Sequence, residues 1–230
     1  METTRLQSLT AELWCAESEV RVGVGVVFPL RMTVIRLADG GLWIHSPLAI
    51  YDALAAELQA LGPVAHLVAP NLYHHLYVRD AARRFPQAQV WAPEGIERKQ
   101  PDLQVHHRLS PDAPWAREVE ALPVEGAAGI SEWVFLHRAS RSLIVTDLVF
   151  NIDDAPRGVT RWLLRLTGAL GQLARSRVWN LMIKDRSAFA ASVRRVLALE
   201  FERVIPSHGD VVSENAQIRM REVLAKDAAG

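Results

Sequence analysis

Val64-Ala-His-Leu-Val-Ala-Pro-Asn-Leu-Tyr-His-His75 is the stretch that decides how this 230-residue chain is read. Its first six residues are an apolar run broken only by His66, the pattern of a buried strand, and Pro70-Asn71 ends it. Two adjacent imidazoles, His74 and His75, follow in a loop. A metal-capable side chain just past a strand recurs twice: Leu143-Ile-Val-Thr146 leads into Asp147, and Val204-Ile205 leads towards His208. Strand ends in an α/β sheet gather on one rim, where a rigid scaffold brings distant positions together. Two imidazoles and a carboxylate on such a rim offer a site for zinc, iron or manganese, with coordination positions left open.

Outward from these three segments, strand and helix patterns alternate. Met32–Arg36 and Leu42–His45 flank Ala38-Asp-Gly-Gly41, a hairpin signal. From Pro47 a helical stretch places Leu48, Tyr51, Leu54, Leu58 and Leu61 on one face, and Gly62-Pro63 stops it. A shorter helix runs to Phe85-Pro86, Gln89–Ala92 reads as a strand, and Val105–His107 ends another. Glu132–His137 and Leu143–Asp147 are strands around the polar turn 138–142. Arg161–Arg175 reads as a helix carrying Trp162, Leu163, Leu166, Leu170 and Leu173 among arginines. Ser187–Leu199 is a further helix with Ser187 as its cap, and a last helix closes the chain. This interleaving predicts a single layered α/β domain over residues 1–230, with a helical insertion at about 156–186.

Composition narrows the class. Half the residues are hydrophobic, enough for a substantial core without staples. The single cysteine, Cys15, excludes an internal disulfide and a cysteine-built zinc site, and fits a reducing compartment. Lys plus Arg (26) equal Asp plus Glu (26), so no net field draws the whole chain to nucleic acid or anionic lipid. The amino end is charged throughout and no apolar run reaches membrane-spanning length, so the expectation is a soluble, cytoplasmic protein. Gly23-Val-Gly25 lacks the third glycine of a dinucleotide loop, and Ser46, Ser140 and Ser207 lie in no G-x-S-x-G elbow.

The order of elements resembles the metallo-β-lactamase superfamily over roughly residues 20 to 215. Leu143–Phe150 is similar to its bridging-aspartate strand and Ser207-His-Gly-Asp210 to its final histidine motif. Leu42-Trp-Ile-His-Ser-Pro47, Pro70-Asn71 with His74-His75, and Phe135-Leu-His-Arg138 are similar to a branch filed as a domain of unknown function. The resemblance implies a four-layered αββα sandwich with a metal site at one edge. In the superfamily a strand leads into H-x-H-x-D-H. Matching His74-His75 to its Asp-His pair puts Pro70 and Leu72 at the first two histidines, and sliding by one residue puts Asn71 and Tyr73 there. Ala127 replaces the later histidine that follows a glycine. The first metal site is therefore missing on either alignment, and what the resemblance leaves is one ion.

The expected ligands are His75, Asp147 and His208, with His74 and Asp147 as catalytic residues and His74 as ligand or general base. His45, His137 and Asp210 are supporting or alternative groups. Each has a plainer reading: His75 as a helix cap, Asp147 as a turn acceptor, His45 as a core histidine. His66, His106 and His107 carry no pattern. The resemblance implies a metal-dependent hydrolase of a small ester, lactone or phosphoester using one divalent ion, zinc first, with iron or manganese as alternatives. A metal-free member that binds a ligand or protein partner is the competing expectation, and a mononuclear iron oxygenase a third. Basic amphipathic helices can lie on membranes and more often cover a sheet with their leucines; the resemblance implies that the Arg157–Arg177 segment is a lid or a homodimer contact, anchored by Trp162 and Trp179.

Overall fold

The computed structural model describes residues 4–22, 26–153, 158–168, 170–175, 177 and 179–229. Gly23-Val-Gly25 and Arg157 lie outside the described residues, as does the side chain of Leu163. Strands begin earlier than the sequence reading places them. β1 (Gln7–Thr10), β2 (Leu13–Val22) and β3 (Val26–Arg36) form an antiparallel run, and β3 reverses at 37–41 into β4 (Leu42–His45). α1 (Asp52–Leu61) carries the chain to β5 (Val64–Val68) and α2 (Val78–Arg84) to β6 (Gln89–Ala92), both strands joining in parallel. β7 (His107–Arg108) completes a seven-stranded sheet ordered as in the chain.

β8 (Val119–Pro123), β9 (Trp133–His137) and β10 (Ser142–Val145) pair antiparallel in a second sheet. A ribbon of β11 (Phe150–Asn151) and β12 (Leu173–Ala174) brackets α3 (Val159–Thr167), and α4 (Trp179–Met182) and α5 (Arg186–Ala198) follow. β13 (Arg203–Pro206) then pairs in parallel with β10, and α6 (Ala216–Ala229) ends the fold.

Alternation on the strands builds the layers. Trp43 points between the sheets, where it meets Phe135 edge-on at 5.1 Å and Trp115 at 5.6 Å; Ile144 and Ile205 share that layer. Leu42 and Ile44 face the other way, onto Leu54 and Leu58 of α1 and Val78 of α2. Leu143, Val145 and Val204 likewise turn outward onto α5 and α6. The result is the four-layered αββα sandwich, and burial on both faces explains why its central strands read as continuous apolar runs.

Three element boundaries differ from the sequence reading. The first helix starts at Asp52, not at Pro47, because Ser46 takes a left-handed φ of 50° and the chain turns off β4 before it coils. The helix expected over Arg161–Arg175 ends at Thr167, where Gly168 at φ 74° caps it and the chain returns as β12. The cap of α5 is Asp185, whose carboxylate accepts from Ala188 N at 3.0 Å, with the Ser187 hydroxyl donating to the same oxygen. Among the described residues no helix is long and apolar enough to cross a membrane.

Candidate metal centre

β10 and β13 run in parallel with Val145 opposite Pro206, so the residues just beyond them emerge at one rim. Asp147 and His208 stand there, and the loop after β5 brings His74 to the same point. His74 Nε2 lies 3.0 Å from His208 Nε2. Asp147 Oδ1 lies 3.7 Å from His74 Nε2 and 3.3 Å from His208 Nε2. Among the described residues this is the cluster of three ligand-type side chains that could hold one ion.

Each member is held from behind. At His208, Nδ1 donates to Pro29 O at 2.7 Å, since a carbonyl only accepts, and this turns Nε2 into the cluster. The buried Arg31, one turn of the pleat along β3, donates to Pro206 O and Gly209 O on either side of that histidine, and Arg31 N donates to Ser207 O. Gly209 permits the close approach: at φ 89°, a Cβ there would sit 2.0 Å from Asn151 O. At His74, Nδ1 meets the Ser46 hydroxyl at 2.8 Å, which gives the left-handed Ser46 a role at the site.

Asp147 is held most tightly, by residues the sequence reading did not single out for the purpose. Glu132, buried just before β9, accepts from the backbone N–H of Thr146, Asp147 and Leu148 at 3.0, 2.9 and 3.2 Å. Asn71 donates to Glu132 Oε2 at 2.6 Å and to Asp147 Oδ2 at 2.7 Å. Trp179 Nε1 donates to Asp147 O at 2.5 Å. Asn71 therefore occupies one carboxylate oxygen and leaves Oδ1 to the imidazoles. The available signal was a lone Glu in an otherwise apolar strand and an Asn directly after a strand-ending proline.

The charges follow from this packing. Burial favours a neutral Asp147, yet the His74 charge and the contacts with His208 and His74 outweigh it and hold the carboxyl well below the usual range. Burial pushes His74 down, with Asp147 pulling it back up. Burial, with the Asp147 charge beside it, pushes Glu132 up to about 8, against the hydrogen bonds that favour its charged form.

The donor set fits one ion. Bonds of about 2.0–2.2 Å at tetrahedral angles place neighbouring ligand atoms about 3.3 Å apart, and the observed separations straddle that value. Positions expected at the vacated first site are apolar and buried: Pro70, Leu72 and Ala127. Their loops abut, with Trp133 N donating to Pro70 O and Leu72 N to Ile130 O.

The other expected residues stand elsewhere. The His75 imidazole turns from the cluster and meets Gln100 Nε2 through Nδ1 at 3.0 Å. His45 is buried between the sheets against Trp43 and Phe135, its Nε2 3.5 Å from Thr146 Oγ1; it is behind the cluster rather than in it. His137 bonds Ser140 at 2.7 Å at the opposite end of the second sheet, where it pairs with Ser142, about 16 Å along the strand from Asp147. The Asp210 side chain is exposed.

A family described as Domain of unknown function (DUF4336) matches residues 10–167. The chain belongs to that family. This DUF4336 fold is similar to solved metallo-β-lactamases. The DIM-1 metallo-β-lactamase exposed to ceftazidime superposes with a TM-score of 0.67 at 14% identity, covering 97% of both chains. A metallo-β-lactamase from Pontibacter korlensis gives 0.66 at 14%, covering 97% of this chain and 99% of that one. The FIM-1 enzyme from Pseudomonas aeruginosa, in a mono-zinc form, gives 0.62 at 14%, covering 98% and 96%. No curated protein matches the chain. At such identities the likeness concerns the fold.

Proposed function

We propose that this protein is a metal-dependent hydrolase that holds one divalent ion between His74, Asp147 and His208 and acts on a small ester, lactone or phosphoester. The observation that carries the reading is the convergence of two imidazole Nε2 atoms on one carboxylate oxygen, with Nδ1 of His208 taken up by Pro29 O. His75, whose ring faces Gln100, is not one of the proposed ligands. A bound divalent ion would supply Lewis acidity and lower the pKa of its water towards ~7.

The chain's own residues do the rest. Pro29 and Arg31 aim His208, Ser46 aims His74, and Asn71 with Glu132 holds Asp147 so that Oδ1 alone faces the imidazoles. The low-lying carboxyl of Asp147 keeps a negative charge in the site over the whole physiological range. The mono-zinc form of FIM-1 supports a single ion on this scaffold. The same donors suit ferrous iron, so the metal is a matter for analysis.

The second reading is a metal-free binding protein. It draws support from the apolar fill at Pro70, Leu72 and Ala127, and from the 3.0 Å contact of the two imidazoles, which a shared proton would also explain. Metal analysis of protein purified without chelator, beside His208→Ala, separates them. About one equivalent in the native chain, lost in the variant together with hydrolysis of aryl ester and phosphodiester probes, supports the enzyme. No metal, and no thermal stabilisation by zinc, iron or manganese, supports the binding protein.

A further inference from the structure

We propose that α3 seats this protein on an anionic lipid bilayer surface through Val159, Trp162 and Leu166. These side chains are 59%, 65% and 56% exposed, while Thr160 and Leu164 on the neighbouring arc are buried. At 100° per residue the three exposed residues fall within an arc of about 60°, with Arg165 bordering it on the side away from the buried pair. Single exposed apolar residues need no explanation, but three of nine residues aligned on one helix face do.

Charge names the occupant. Past Asp153 and Asp154, there is no acidic residue from Gly158 to Arg177, and Arg161, Arg165, Arg175 and Arg177 fall within that span. Arg175 is committed to Asp227; Arg165 and Arg177 are exposed. Arg177 stands at the carboxyl end of the helix, its Nε 3.5 Å from where a Cβ on Gly168 would lie. A tryptophan at headgroup depth, an aliphatic stripe at the acyl boundary and arginines reaching phosphate are what such a surface takes up. A second copy suits the stripe less well: an isologous contact through it would set the arginines of one protomer against those of the other.

The buried side of α3 fixes its place. The Thr160 hydroxyl accepts from Val27 N at 3.0 Å, and Leu164 packs with Phe150 and Ile152. The Phe150 ring lies 4.9 Å from that of His208, so a bilayer under α3 would lie beside the His–Asp cluster. The inference does not depend on metal or on activity.

Vesicle flotation tests it, using phosphatidylcholine alone and phosphatidylcholine with about one-third phosphatidylglycerol, at roughly 0.1 M and roughly 0.5 M salt. The full chain should float with the anionic vesicles at least about tenfold better than with the neutral ones, and release at high salt. Trp162→Ser with Leu166→Ser, and separately Arg165→Glu with Arg177→Glu, should each cut binding about tenfold or more without changing the circular dichroism. Binding equal on both vesicle types, no binding at all, or binding untouched by these substitutions would overturn the proposal. Light scattering that shows a dimer dissolved by the Trp162 and Leu166 changes, without vesicle binding, would also overturn it and give the stripe to a second copy.

Discussion

Replacing Glu132 by glutamine changes one atom, and the structure sets what that should cost. Asn71 Oδ1 accepts from Tyr73 N and His74 N at 2.8 and 2.7 Å, which fixes the orientation of its amide, so Nδ2 must face Glu132 and Asp147. In Glu132→Gln the new NH2 group meets either that Nδ2, donor against donor, or the three backbone N–H groups of residues 146–148. Neither placement satisfies the buried groups, and flipping Asn71 would strand the two backbone donors it now serves. One buried hydrogen bond lost and one buried clash created come to about 2–4 kcal/mol. In a chain of this size that lowers the melting temperature by roughly 5–15 °C. Because Asp147 would lose its fixed position, metal affinity should also fall about 10–100-fold. Thermal melts and competition with a chromophoric chelator read the two effects. Glu125→Gln, at a half-exposed ion pair with Arg195, serves as the control and should move stability by less than about 0.5 kcal/mol. If Glu132→Gln melts and binds metal as the control does, the account of how Asp147 is held is wrong.

Acid sensitivity should trace partly to His45. Burial, with His74 adding to it, pushes this imidazole down to about 3 from an ordinary 6.5, so the folded state keeps it neutral while the unfolded chain takes up a proton below 6.5. Its contribution is fully present above pH 6.5 and is lost as pH falls towards 3, about 2 kcal/mol by pH 5. Urea denaturation of chelator-treated protein should show His45→Phe losing that much less between pH 7 and pH 5; parallel losses would refute it. Cys15, buried and pushed up to about 11, should not react with a disulfide reagent at pH 8 until the protein is unfolded. Labelling of the native protein at the rate of a free thiol would contradict its placement between the sheets. His75→Ala should keep the metal content of the native chain and His74→Ala should lose it; the reverse would restore His75 as the ligand.

Much of the fold was legible because its central strands are buried on both faces and its helices on one. Val64–Val68, Ser142–Val145 and Arg203–Pro206 announce themselves as short apolar runs, and the residues that follow them share a rim by topology alone. β1 and β2 were hidden by polar residues that face solvent on the seven-stranded sheet, and β8 by a length of five residues with two prolines close by. At the site, residue types marked Asp147, His208 and the His74-His75 pair, but adjacent loop residues point in different directions. Which imidazole enters the cluster depends on the Asn71 amide, which gathers the Tyr73 and His74 N–H groups and sets the loop. Arg31 and Pro29 were not legible, because their partners lie 175 and 179 residues away in the chain, whereas Glu132 stood out in its strand without naming the N–H groups it holds. His137 shows the converse: its strand was read correctly, yet antiparallel pairing carries it to the opposite end of the sheet.

The most direct test is anomalous X-ray diffraction from crystals of metal-loaded protein, collected on both sides of the metal's absorption edge. A single peak within bonding distance of His74 Nε2, His208 Nε2 and Asp147 Oδ1 is the predicted result. A peak beside His75 and Gln100, or none with the two imidazoles still in contact, would contradict it.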